Sequence, residues 1–457
     1  MYSPATATLE AAPLRRRGLR SPGAVVVESV DARWDLLMVC LAGHVLTGVG
    51  RVHQLFTVVG AVRPAIITGL AAIVLYVYDP LEERRFHHVV GPTTKLLLAL
   101  TCWMVLCIPG ALVAGNSFDL VFGSFVKTAL MCALTAAAVR GVRDVERLAL
   151  AYLAAATVYA GVVISRFDLG SGADWRLGHL YYYDANDLAT FLVTAMPLGF
   201  YFIHAGRGLR TRAFAAVGLI VMTVSFVRTG SRGGFIALIA VALFIVARYS
   251  AIPLGRRVFV TAAVAAIVVG TASTQYWEQM GTIVSDTDYN RTDESGRLPI
   301  WGRGIGYMLE NPLFGVGPNN FPTAEGTLSP YADRQQFGVG VRWNAAHNSY
   351  IQVGAELGIV GLALFVAFIA SALVAAHRSR PPADAGEGPR DRRLQLSQVL
   401  TASLIGFVVG AVFLSLAYSD MLYTLVAMAI GMRKATLAAA PVEDVAPALA
   451  LRLRRAR

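Results

Sequence analysis

The sequence predicts an all-α polytopic membrane protein, with about twelve transmembrane helices and one large extracytoplasmic loop containing short helices. Three observations predict it. Of 457 residues, 56% are hydrophobic and only 15% are charged, whereas a soluble domain carries about a quarter charged residues. Apolar runs of about 18 residues or more recur along the chain, long enough to cross a bilayer as helices. One polar stretch, 275–346, interrupts them. In hydrocarbon each backbone polar group needs an internal partner, so such runs fold as helices rather than as open sheet. The period-two alternation of a membrane barrel is absent.

The apolar runs fall at 34–50, 57–78, 94–113, 118–139, 146–165, 186–204, 212–228, 232–249, 257–274, 347–376, 396–414 and 416–432. Residues 1–33 precede them and hold Leu14-Arg15-Arg16-Arg17-Gly18-Leu19-Arg20, with no apolar core ending in a cleavage pattern. They read as a disordered basic cytoplasmic tail. Helices one to nine then occupy 34–274, the large loop 275–346, and helices ten to twelve 347–432. A Pro-, Gly- and charge-rich cytoplasmic linker lies within 377–395, and a second basic tail covers 433–457.

A net charge of +11 raises the question of nucleic acid. The arginines, however, sit in short clusters between apolar runs, such as Arg84-Arg85, Arg140 to Arg147, Arg256-Arg257 and Arg378 to Arg393. That distribution follows the positive-inside rule. The expected partner is membrane lipid and not nucleic acid, and the rule puts the large loop outside the cytoplasm. Two outer connections break the rule. One, at 166–185, carries Arg166, Asp168, Asp174, Trp175 and Arg176; the other is the large loop; and the turn after the seventh run also carries Arg228 and Arg232. Either these cations pair with nearby aspartates or they form an anion site facing the outer aqueous space. The four cysteines, Cys40, Cys102, Cys107 and Cys132, all lie inside apolar runs and read as small core residues rather than as a disulfide framework or a metal site.

Inside the loop, 275–295 is polar and reads as loose chain. Its Asp286-Thr287-Asp288 is like the Asp-x-Asp that holds a metal in many nucleotide-sugar transferases, but two aspartates in an acidic loop arise easily, and no metal is expected. From Arg297 the residues Leu298, Trp301, Ile305, Met308 and Leu309 follow helical spacing. With Pro299 in the first turn, they predict a short helix on the membrane surface or packed against the protein. Asn311-Pro-Leu-Phe-Gly-Val-Gly317 closes it as a turn. His347 stands where the loop enters the tenth run: it is either a polar capping residue or a general base whose unperturbed pKa near 6.5 suits proton transfer. Glu356, nine residues on, shares its helical face about 13 Å deeper if those turns are helical. Arg232, at the start of the eighth run, is either an interfacial arginine reaching water or a phosphate ligand, since its fork matches phosphate oxygens. The glycines beside it leave room for a bulky anion.

Taken in order, Ser231-Arg232-Gly233-Gly234, then Arg297-x3-Trp301 with Asn311-Pro-Leu-Phe-Gly-Val-Gly317, then His347-Asn348-Ser-Tyr350 with Glu356-Leu-Gly358, resemble the O-antigen ligase and polymerase family of bacterial membrane glycosyltransferases. Asp184-Ala-Asn186-Asp187 at the sixth run also resembles that family. The resemblance covers about 230–360 and implies transfer of a glycan from undecaprenyl diphosphate to an acceptor hydroxyl, on the outer face of the bacterial cytoplasmic membrane. It implies no cofactor and no metal. His347 would then be catalytic, activating the acceptor. Arg232 and Arg297 would hold the diphosphate, with Arg303 as the alternative to Arg297. Arg228, Asn348, Tyr350 and Glu356 would support them. Direct displacement inverts the anomeric carbon. The acceptor is another glycan or lipid A-core. The long C-terminal extension expected of the protein-glycosylating branch is lacking, so polymerisation or ligation of O-antigen or exopolysaccharide is expected, with polymerisation favoured. The competing class is a transporter or flippase of lipid-linked glycans, which would show inverted repeats and charges at the midplane.

Overall fold

The computed structural model describes residues 33–166, 176–177, 180, 183–206, 208–285, 288–332, 344–379 and 389–438. The expected N-terminal tail, most of the 166–185 connection, Asp286, part of the linker and the C-terminal basic tail from 439 lie outside the described residues. Among the described residues the regular structure is helical, without strands.

Each of the twelve apolar runs holds a helix. These are α1 (Leu36–His44, continued by a π turn Val45–Val49), α2 (Thr57–Ala61) with α3 (Pro64–Val77), α4 (Pro92–Cys107), and α5 (Ala114–Leu120) running through a π turn into α6 (Val126–Ala138). Then come α7 (Val142–Arg166), α8 (Ala185–Ala205), α9 (Leu209–Thr229), α10 (Arg232–Arg248) and α11 (Leu254–Thr271). The loop carries α12 (Thr274–Gly281), α13 (Tyr289–Thr292), α14 (Arg297–Glu310) and α15 (Phe321–Thr327). The chain closes with α16 (Ser349–His377), α17 (Pro389–Gly410) and α18 (Asp420–Ala438). Among the described residues, seven helices are long and apolar enough to cross a membrane.

Several helices start where a short polar side chain satisfies their first amides. Asp184 accepts from Asn186 and Asp187 at α8, Ser231 from Gly234 at α10, Ser273 from Tyr276 at α12, and Asn348 from Tyr350 and Ile351 at α16. At the centre of the bundle is α8, buried throughout from Leu188 to Phe202 and packed on α7, α9, α10 and α17. At the edge α11 buries only Val268. Away from the loop, a charge network ties the helix ends together. Arg84, 3% exposed, pairs with Asp35 and Asp79; Arg140 pairs with Asp35 and Asp144; Arg147 pairs with Asp144.

Several expectations change here. The described residues of 275–295 are not loose: α12, a 3-10 turn at Thr282–Val284 and α13 order them. On α14 the buried positions are Ile300, Gly304 and Tyr307, whereas Leu298, Ile305 and Leu309 of the predicted apolar face are exposed. The linker is shorter than expected, because α17 already begins at Pro389. Cys102 is exposed, while Cys107 and Cys132 are buried, and all four thiols are free. The last two runs are not one residue apart. Helix stops at Gly410 and resumes at Asp420, leaving a non-helical stretch between.

The feature that organises the loop is a break in α16. Gly358 sits at φ 71°, ψ −173°, a region closed to side chains bearing a Cβ. The break frees carbonyls and an amide that must find partners inside the protein. The turn after α14 supplies them. Val316 N–H donates to Ala355 O at 2.8 Å, Gly317 N–H to Glu356 O at 2.9 Å, and Ile359 N–H to Pro312 O at 2.8 Å. Trp103 on α4 donates its indole N–H to Leu357 O at 3.0 Å. The approach is so close that a Cβ on Gly358 would lie 2.2 Å from Leu313 O, and one on Gly315 2.4 Å from the Glu356 carbonyl carbon. Gly358→Ala should therefore cost at least about 1–3 kcal/mol. Thermal melting of the detergent-purified protein should show it as a lowered midpoint, with Gly270→Ala, where nothing lies within 4 Å, unchanged. Equal midpoints would remove the break from the fold's requirements.

Candidate active site at the loop mouth

Two parts of the site come from helix starts. Arg232 opens α10. Its NH1 donates to Thr282 Oγ1 at 2.6 Å and to the Asp288 carboxylate at 2.5 Å, and the side chains are 13% and 8% exposed. Burial pushes the Asp288 carboxyl up, but the hydrogen bonds from Arg232 and Asn290 outweigh it and hold it below the usual range. The Asp288 carboxylate is thus an anion lodged against Arg232. The glycines that follow do not leave space for a ligand. A Cβ on Gly233 would lie 2.6 Å from Phe413 Cβ, and one on Gly234 2.6 Å from Ala189 Cβ. They bring α10 close to α8 and to the 411–419 stretch.

That stretch also holds His347. The histidine is not the first residue of a helix: it adopts φ +47° one residue before the cap Asn348. Its amide donates to Ser415 Oγ at 3.0 Å, and Ser349 Oγ donates to Leu414 O at 2.6 Å. Phe413 touching Gly233 and Ser415 holding His347 thus bring the start of α10 and the start of α16 to one neighbourhood. Arg297 opens α14, and Trp301 on the same helix donates to Ala346 O at 3.0 Å. The His347 pKa lies below 6.5, first because of burial and then because of the positive Arg297, with Asp184 pulling the other way. The imidazole is accordingly neutral at pH 7 and available to accept a proton. Ser415 and Asp184 are members of this neighbourhood that sequence reading did not place there. The available signal was a polar residue between two apolar runs too close together to turn.

The other predicted residues have different work. Arg303 faces buried Glu325: its Nε lies 2.9 Å from Oε1 and its NH2 2.6 Å from Oε2, and Tyr307 OH donates to the same carboxylate at 2.8 Å. Asn348 caps α16, and Tyr350 OH donates to Val408 O at 3.1 Å. Glu356 does not share an outer cavity with His347. It is fully buried, accepting from Phe321 N–H at 3.2 Å and Tyr418 OH at 2.8 Å. Arg228 donates to Ile164 O at 3.1 Å, joining α9 to α7. Removing one partner of a buried pair leaves an uncompensated charge, at a cost of about 3–5 kcal/mol. Arg303→Met alone should therefore lower the melting temperature sharply, and adding Glu325→Leu should recover most of the loss. A single variant as stable as the parent would return Arg303 to the list of substrate ligands.

The geometry thus collects a neutral imidazole, arginines at helix starts and a protein carboxylate against one of them, at the mouth of a membrane bundle. Residues 217–366, from α9 to α16, match the family model described as O-Antigen ligase. No curated protein matches the chain. The match takes in all three motifs on which the sequence resemblance rests, Ser231 to Gly234, Arg297 to Gly317 and His347 to Gly358, and over these residues the chain is similar to the O-antigen ligase family.

Proposed function

We propose that this protein is a membrane glycosyltransferase of polysaccharide assembly that moves a glycan from undecaprenyl diphosphate to a sugar hydroxyl on the outer face of the cytoplasmic membrane. The observation that carries the reading is the shared neighbourhood of a neutral His347 with Arg232 and Arg297. The acceptor oxygen attacks the anomeric carbon while His347 takes its proton. The bond from that carbon to the diphosphate oxygen breaks, and the carbon inverts. Undecaprenyl diphosphate leaves with the bonding electrons, and Arg232 and Arg297 balance its charge. Arg297 is preferred to Arg303 for this role, because Glu325 already occupies the Arg303 fork. No metal takes part in these steps, and polymerisation of repeat units is favoured over ligation to lipid A-core.

In this reading Asp288 marks the phosphate's place. Its carboxylate sits on Arg232 as a phosphate oxygen would, so donor binding exchanges a protein anion for a substrate anion. Asp288→Asn should tighten competition by inorganic pyrophosphate on the order of tenfold, a change of about 1.4 kcal/mol. Unchanged competition would exclude the exchange, and weakened competition would make Asp288 a positioning residue for Arg232.

Purified protein with a lipid-linked donor tests the whole reading. A ladder of products means polymerisation; one product on lipid A-core means ligation. His347→Ala should lose about 10²–10⁴-fold in rate with membrane insertion intact, and retained activity removes the general base. The parent rate should rise with pH along a limb centred below 6.5. Arg297→Gln removes a positive neighbour and should shift that limb upward, whatever it does to the rate. A limb that stays in place would separate Arg297 from His347.

A further inference from the structure

The end of the bundle away from the loop carries a second cluster of ligand-type side chains. α4 leads from this end to Leu112, whose amide bonds Val316 in the loop. Its 16 residues put about 24 Å between the two. The connection from α3 to α4 makes two 3-10 turns, Glu82–Arg84 and Phe86–Val89. Across them, His87 Nε2 lies 3.6 Å and His88 Nε2 3.9 Å from the same oxygen, Glu82 Oε1. The two rings are 4.0 Å apart, centre to centre, and one ligand atom from each of the three residues lies within 4.8 Å of the others.

These separations are too long for hydrogen bonds. They are slightly longer than the roughly 3.3 Å that a tetrahedral ion with bonds of about 2.0–2.1 Å imposes between its ligands. Small rotations of three exposed side chains close that gap. The other carboxylate oxygen of Glu82 faces Arg85 Nε at 3.8 Å, which leaves Oε1 to the imidazoles. The backbone bearing the ligands is already held. Tyr76 OH donates to Arg84 O at 2.7 Å, Arg84 Nε donates to Ala138 O at 3.0 Å, and Lys434 Nζ donates to Glu83 O at 2.7 Å. Thr94 Oγ1 donates to Val89 O at 2.6 Å at the far end of the segment. An entering ion therefore orders side chains and not the chain that carries them.

We propose that Glu82, His87 and His88 form a binding site for a divalent late first-row transition ion, zinc foremost. Two imidazole nitrogens and one carboxylate oxygen suit Zn²⁺, Ni²⁺ or Cu²⁺, whereas Mg²⁺ and Ca²⁺ favour all-oxygen sets. Three protein ligands on an exposed turn leave the remaining position to water. Nothing in glycan transfer at the loop depends on this site, so the two readings fail separately.

Calorimetric titration of the chelator-treated, detergent-purified full chain with Zn²⁺ tests it, using an affinity tag free of histidine. The parent should bind Zn²⁺ saturably with Mg²⁺ in excess. Both Glu82→Gln and His87→Ala/His88→Ala should weaken that binding roughly tenfold or more. Absence of saturable binding, or binding of equal strength in the parent and both variants, would overturn the site. Because the three side chains are exposed, the variants should keep the parent's metal-free melting temperature, and that measurement separates lost binding from lost folding.

Discussion

The interrupted helix at Gly358 is the constraint on which the loop and the site depend. A break in a membrane helix leaves backbone groups without partners where water cannot serve them. Here the protein answers with the 311–317 turn and the Trp103 indole. That docking fixes the end of α14 against α16, and so fixes where Arg297 begins. Glu356, two residues before the break, reaches Phe321 on one side and Tyr418 on the other. Through Tyr418 the break also positions the 411–419 stretch, whose Ser415 holds the His347 amide. One local departure from helical geometry thus sets His347 and Arg297 relative to each other.

The electrostatics of the mouth follow from the same packing. Arginines open both α10 and α14. Asp288 offsets Arg232, and Asp184 tempers the effect of Arg297 on His347. Arg303 is kept apart by Glu325 and by Tyr331, whose ring lies 5.4 Å from the guanidinium carbon. The loop therefore divides its cations. Arg303 is bound into the scaffold by Glu325, while Arg232 at the start of α10 stands against the Asp288 carboxylate.

The sequence by itself determined the helical membrane architecture, the position of the loop and the residue types at its mouth. Hydrophobic length and backbone satisfaction depend on local composition, so the twelve apolar runs could be read directly, and caps such as Asp184, Ser231 and Asn348 are local too. The motifs at Arg232, Arg297 and His347 were legible because their residue types and order along the chain are local features of the sequence. Only the tertiary structure decided which residues meet. That Asp288 lies on Arg232, 56 positions away, that Glu325 claims Arg303, that Gly233 is needed by Phe413 and that Ser415 holds His347 are long-range contacts with no periodic trace. The break at Gly358 was hidden for the same reason: a glycine in an apolar run reads as helix until a distant turn supplies the hydrogen bonds that allow the helix to stop.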